Sequence, residues 1–100
     1  MASFKPAIGK ELIEIIMAKI TLYSSDYCPF CSRAKQLLDM KNVSYDEICV
    51  DGNNALRQEM IAKSGRHTVP QIWIDTLHVG GCDDLFALER ARKLDALLAH

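Results

Sequence analysis

Hydrophobic and polar positions alternate between two periods along this chain. Ala18 to Tyr23 is apolar and partly β-branched, which predicts a buried first strand. A polar turn follows, and apolar residues then return at helical spacing as Ala34, Leu37 and Leu38, predicting a helix from about Ser32 to Met40 that Asn42 ends. Val43 to Val50 reads as a second strand, with Cys49 inside it as a buried small hydrophobe. Asp51-Gly52-Asn53-Asn54 supplies a turn and an N-cap for a helix from about Ala55 to Lys63, burying Leu56, Met60 and Ile61. That helix stops at Ser64-Gly65, where glycine suits the left-handed position after a helix end.

Thr68 to Asp75 is a loop leading into a strongly apolar strand, with Trp73 expected in the core and Pro70 placed before a ladder donor is needed. Asp75-Thr76 turns the chain into a short strand, Leu77 to Val79, which Gly80-Gly81 breaks. Cys82-Asp83-Asp84 reads as the cap of a helix from Leu85 to Arg92, and Leu94, Leu97 and Leu98 add a last helical turn or two. The order β-α-β-α-β-β-α predicts an α/β domain. One crossover gives parallel strands and one hairpin adds an antiparallel pair, so the economical solution is a mixed four-stranded sheet flanked by helices, the thioredoxin-like layout. Residues 1–17 read as an extension without an assigned role, in which Lys10 to Met17 has room for two helical turns, and residues 18–100 read as the domain.

Composition narrows the classes. One hundred residues, 49% hydrophobic, build one modest core and no second domain. A formal net charge of -1 gives no basic field, which argues against nucleic acid or an anionic membrane as partner. No run reaches transmembrane length, and residues 1–17 lack a signal peptide's apolar core because Lys10, Glu11 and Glu14 interrupt it, so a cytoplasmic location is expected. The four cysteines form one close pair, Cys28 and Cys31, and two singletons, Cys49 and Cys82, unlike a disulfide-dense secreted scaffold.

Chemistry concentrates at Cys28-Pro29-Phe30-Cys31, between the first strand and the first helix. Pro29 suits the first helical position, which puts Cys28 at the N-cap, where free N–H groups and the positive end of the macrodipole favour a thiolate. Cys31, one turn deeper on the same face, is within disulfide reach. Cys28 is therefore the candidate nucleophile and Cys31 the resolving thiol. The competing reading, half of a zinc site, lacks a second Cys-x-x-Cys or a His pair to complete four ligands. His67 reads as an exposed loop residue, and His78 and His100 have no metal-binding partner at a suitable spacing.

From about Ala18 to Leu98 the chain resembles the glutaredoxin family, in its small bacterial dithiol branch. The resemblance rests on Cys28-Pro29-Phe30-Cys31, on Ser64-Gly65-Arg66-His67-Thr68-Val69-Pro70, on Gly80-Gly81-Cys82-Asp83-Asp84, and on their spacing. It implies a glutathione-dependent oxidoreductase that reduces protein disulfides and glutathione mixed disulfides through Cys28 and Cys31. It also implies a cis peptide before Pro70 and a glutathione site made by Phe30, Arg57, Thr68, Val69, Pro70, Gly81, Cys82 and Asp83. Within that site the Val69 main chain would hold the cysteinyl part, Cys82 and Asp83 the γ-glutamyl end, and Arg57 the glycine carboxylate. The implied partners are glutathione and disulfide-bearing or glutathionylated proteins, met by a monomer without a metal. Two positions depart from the family pattern: Ser25 stands where many relatives have lysine, and Phe30 where tyrosine is familiar. The alternative class is a binding module, a dimer holding a [2Fe–2S] cluster through Cys28 and bound glutathione, which proline after the first cysteine disfavours. Service to a thioredoxin-type reductase is weaker still, because thioredoxins lack the Gly81-Cys82-Asp83 corner.

Overall fold

The structure, a computed structural model, describes residues 18–99. The two helical turns expected before Met17 lie outside the described residues. The chain runs β1 (Ile20–Ser24), α1 (Pro29–Met40), β2 (Asp46–Cys49), α2 (Asn54–Ser64), β3 (Gln71–Ile74), β4 (Leu77–Gly80), α3 (Cys82–Arg90) and α4 (Leu94–Leu98). The strands form one sheet in the order β2-β1-β3-β4. β1 pairs in parallel with β2, with Thr21 opposite Asp46, and antiparallel with β3, with Leu22 opposite Ile72. The β3–β4 hairpin is antiparallel, with a register shift between Ile72 and Trp73. This is the mixed four-stranded sheet expected from the order of elements.

Alternation along the strands divides the interior in two. Ile20, Leu22, Ile72 and Ile74 face one side and pack with Ala34, Leu37 and Leu38 of α1, Leu85 of α3, and Leu94 and Leu98 of α4. Tyr23, Val50 and Met60 form the smaller core on the other side, under α2. The N–H of Ala18 donates to the Leu98 carbonyl over 3.2 Å, so the last helix closes on the residue that leads into β1. β1 is thus central, buried on both faces, and its carboxyl end delivers the chain to the cysteine pair.

Five expectations are corrected. The second strand is shorter than Val43 to Val50, because Val43 and Tyr45 pack on the core edge from a loop while only Asp46–Cys49 pairs. Cys49 is exposed, not buried: β2 is an edge strand with a single neighbour, and most of its side chains meet solvent. Trp73 is half-buried, since it lies on the thinner side of the sheet against Tyr23 and His78. Leu56 and Ile61 likewise stay half-buried, leaving Met60 as the buried residue of α2. The third helix also starts early, with Gly81 as N-cap and Cys82-Asp83-Asp84 as its first turn.

Candidate active site

The sequence from Tyr23 to Cys31 folds as its residue types direct. Ser24 ends β1 buried, and the chain turns through Ser25 to Tyr27 into α1. Asp51, at the start of the β2–α2 turn, holds this turn from outside. It accepts from the Ser25 hydroxyl at 2.5 Å and from the Asp26 N–H at 2.7 Å, and these bonds keep its carboxyl below its ordinary pKa. Ser25, in the position where relatives place lysine, therefore ties the turn to Asp51.

Cys28 is the N-cap of α1 in extended backbone, and Pro29 is the first helical residue. The Cys28 sulfur accepts from the Cys31 N–H at 3.1 Å, so one of the orphan donors of the helix end is aimed at the sulfur. Cys31 is 1% exposed, whereas Cys28 is only half-buried. The two sulfurs lie 2.50 Å apart, near disulfide distance, and the Cα atoms 5.2 Å apart, within the span of a disulfide. The arrangement separates an accessible sulfur at a helix N-terminus from a buried partner that can only reach back to it.

The opposite wall comes from the loop before β3. The Val69–Pro70 peptide is cis, as the resemblance implies. The Cys28 sulfur lies 3.9 Å from the Val69 carbonyl oxygen. Beside this pair opens a cleft of about 300 Å³ lined by Phe30, Arg66, Thr68, Val69, Pro70, Gly81, Cys82, Asp83 and Asp84. All the anticipated substrate-side residues except Arg57 line it. The Arg57 guanidinium instead lies 3.9 Å from the Asp51 carboxylate.

Arg66 and Asp84 were not anticipated. Asp84 accepts from the Gly81 N–H at 2.9 Å and from the Arg66 guanidinium at 3.0 Å, and these two bonds, in that order, depress its pKa. A carboxylate three residues after the N-cap is a capping signal legible in Gly81-Cys82-Asp83-Asp84. The partnership with Arg66, 18 residues earlier, is tertiary and has no local signal. Cys82 is 4% exposed, and burial raises its thiol pKa, with Asp83 adding to the rise and Arg33 opposing it. Its side chain is a poor thiolate, so what it offers the cleft is main chain at the start of α3, an anion-favouring position.

Among the described residues, one group brings possible metal-ligating atoms together: Asp26, Cys49 and Asp51, with these atoms within 4.8 Å of one another. All three are exposed, and Asp51 is already engaged by Ser25 and the Asp26 N–H. His67 is exposed on the loop, as expected. Among the described residues no helix is long and apolar enough to cross a membrane.

Comparison with known proteins bears on this geometry. The family model described as Glutaredoxin matches residues 20–79. A glutaredoxin of Pseudomonas aeruginosa is 58% identical over 83 residues, covering 83% of this chain and 99% of its own length. Glutaredoxin 3 of Escherichia coli (strain K12) is 56% identical over 82 residues, covering 82% of this chain and 99% of its own. The crystal structure of a buckwheat glutaredoxin–glutathione complex superposes with a TM-score of 0.75 at 31% identity, covering 95% of this chain and 89% of that one.

Proposed function

The chain belongs to the glutaredoxin family of glutathione-dependent thiol–disulfide oxidoreductases, and on that premise we propose that Cys28 is its nucleophile, Cys31 its resolving thiol, and the neighbouring cleft its glutathione site. The observation that carries this reading is the meeting of three elements at one sulfur. Cys28 caps α1, takes the Cys31 N–H, and faces the Val69 carbonyl at the mouth of the cleft.

On a glutathionylated protein, the Cys28 thiolate attacks the glutathionyl sulfur. The bond from that sulfur to the protein breaks, and the protein thiolate leaves and takes a proton. The Cys28–glutathione mixed disulfide is then attacked by a second glutathione thiolate, which frees Cys28 and forms glutathione disulfide. On a protein disulfide, Cys28 forms a mixed disulfide with the substrate, Cys31 attacks the Cys28 sulfur and expels the substrate thiol, and two glutathiones reduce the resulting Cys28–Cys31 pair.

In the bound state the Val69 main chain pairs with the cysteinyl part of glutathione, in the manner of a strand addition. Thr68, Pro70 and Phe30 wall it, and the γ-glutamyl carboxylate sits at the N-terminus of α3 beside Gly81 and Cys82. Asp83 takes the ammonium, and Arg57 reaches the glycine carboxylate by leaving Asp51. The buckwheat complex supports glutathione as the ligand class. We further propose that the protein works as a monomer in the cytoplasm, a reducing compartment in which the exposed Cys49 thiol would stay free.

The test is glutathione-coupled turnover of a small glutathione mixed disulfide by the wild type, Cys28→Ser and Cys31→Ser. Loss in Cys28→Ser with retention in Cys31→Ser supports the reading. A wild type that turns over no glutathione mixed disulfide overturns it.

A further inference from the structure

Gln71 is the first residue of β3, next after the cis proline, and its side chain is fully buried at 0% exposure. A buried primary amide needs partners for both ends. Here the amide nitrogen donates to the Thr68 carbonyl at 3.0 Å and lies 3.3 Å from the Thr68 hydroxyl, and the amide oxygen meets His78 Nε2 at 2.7 Å. The His78 ring stacks on Trp73 with centroids 4.7 Å apart, and the Trp73 ring meets Tyr23 edge-on at 5.4 Å.

These bonds bear on a loop with little other support. Among the described residues, no backbone–backbone hydrogen bond outside the regular elements involves residues 66 to 70. The loop is fixed by side chains: Ser64 on the Arg66 main chain, Asp84 on the Arg66 guanidinium, and Gln71 on Thr68. Of these, Gln71 acts nearest to Val69, whose carbonyl faces the Cys28 sulfur. Histidine fixes which way round the amide sits. With Nε2–H donating to the amide oxygen, the amide NH2 group is left facing Thr68. Burial and the nearby Arg66 charge hold His78 toward its neutral form, with Asp84 opposing, so the ring can keep that tautomer.

We propose that Gln71 and His78 are positioning residues for substrate binding: a buried relay from β4 that sets the Thr68–Val69 main chain at the distance from Cys28 that the glutathionyl group requires. The proposal rests on the glutathione reading above and deepens it. Neither residue lines the cleft. Their effect passes through Thr68, so it falls on binding of the glutathionyl moiety rather than on the acidity of Cys28.

The test compares wild type, Gln71→Leu, His78→Phe and His78→Gln. It measures glutathione-coupled reduction of a glutathionylated peptide and the pH dependence of Cys28 alkylation. Gln71→Leu keeps the volume and removes every polar contact. It is expected to raise KM for the peptide about tenfold with kcat changed less than about twofold, the scale of one lost hydrogen bond to the loop. His78→Phe keeps the stack on Trp73, lies on an edge strand that tolerates the change, and is expected to raise KM about threefold. His78→Gln returns a donor at similar reach and restores most of the wild-type KM. The Cys28 pKa is expected to stay in place throughout.

An unchanged KM in folded Gln71→Leu and His78→Phe overturns the proposal, as does a shift of the Cys28 pKa that accounts for the loss. Should Gln71→Leu fail to fold, the pair of His78 variants decides alone. A wild type inactive on the glutathionylated peptide is a different failure, since it removes the glutathione reading and the relay's role with it.

Discussion

The N–H of Cys31 is aimed at the sulfur of Cys28 over 3.1 Å, and the lysine that many relatives carry three residues before the nucleophile is replaced by Ser25, hydrogen-bonded to Asp51. Support for the thiolate therefore comes from a helix end rather than from a cation at that position. Ser25→Lys adds a positive charge to the turn, partly neutralised by Asp51, and is expected to lower the Cys28 pKa. The pH dependence of alkylation by iodoacetamide reads this directly. An unmoved pKa would show that Asp51 cancels the added charge.

The two cysteines outside the pair should differ in reactivity. Cys49 is exposed on the edge strand, while Cys82 is buried with its thiol pKa raised. In the reduced native protein, brief alkylation at neutral pH followed by peptide mass analysis is expected to label Cys28 first and Cys49 next, and to leave Cys31 and Cys82 unlabelled. Labelling of Cys82 at the rate of Cys49 would contradict the packing of α3 against the sheet.

Gly80 adopts φ +115°, and a Cβ on it would collide with the Asp84 carboxylate. Gly80→Ala thus strains the backbone and displaces the group that caps Gly81 and pairs with Arg66. The expected cost is about 2 kcal/mol in denaturant unfolding. Glutathione-coupled activity should also fall, because the displaced carboxylate forms part of the cleft wall. Wild-type stability in this variant would mean that Asp84 moves aside freely.

Much of this was legible in the sequence because the signals were local. Pro29 after Cys28 marks a helix start, Gly65 marks a helix end with φ +72°, and Ile72 and Ile74 set the face of β3. What escaped depended on which strands became edges and which distant residues met. Cys49 looks apolar within Val43 to Val50, yet β2 lies at the sheet margin and exposes it. Arg66 and Asp84 meet only after β3 and β4 form their hairpin, and nothing near either residue announces the other. Arg57 stands 3.9 Å from the Asp51 carboxylate, a tertiary contact that the sequence also left unannounced.

Tyr27 precedes the nucleophile with φ +57°, left-handed backbone that a bulky side chain adopts at a cost, and its ring is fully exposed at 103%. Nothing packed is lost when the ring is removed. Tyr27→Asn is expected to stabilise the fold by about 1 kcal/mol, or about 4–8 °C in Tm for a domain of this size. Turnover of a small glutathione mixed disulfide should be retained. A lower Tm would show that the tyrosine ring makes a stabilising contact after all.

Tyr23 gives the fold an alkaline limit. Its ring is 1% exposed, and its hydroxyl donates to Glu59 at 2.5 Å with Lys63 Nζ 3.5 Å away. Burial first, then the bond and charge of Glu59, push its pKa up to about 12. The unfolded tyrosine titrates near 10, so between about pH 10 and pH 12 the unfolded chain releases a proton that the folded chain keeps. The contribution is fully present below pH 10 and is lost as pH rises through 12, on the order of 2–3 kcal/mol in all. Tyr23→Phe removes the titrating group and is expected to cost about 1 kcal/mol at pH 7 while flattening this alkaline loss. Lys35 and Lys41, whose pKa values are raised by their carboxylate partners, add alkaline losses of their own, so the informative quantity is the difference between the two proteins. Urea unfolding at pH 8, 10 and 11.5 measures it. The gap between wild type and Tyr23→Phe should narrow and then reverse as the pH rises; a gap that stays constant would mean that the Tyr23 hydroxyl is not held protonated by its burial.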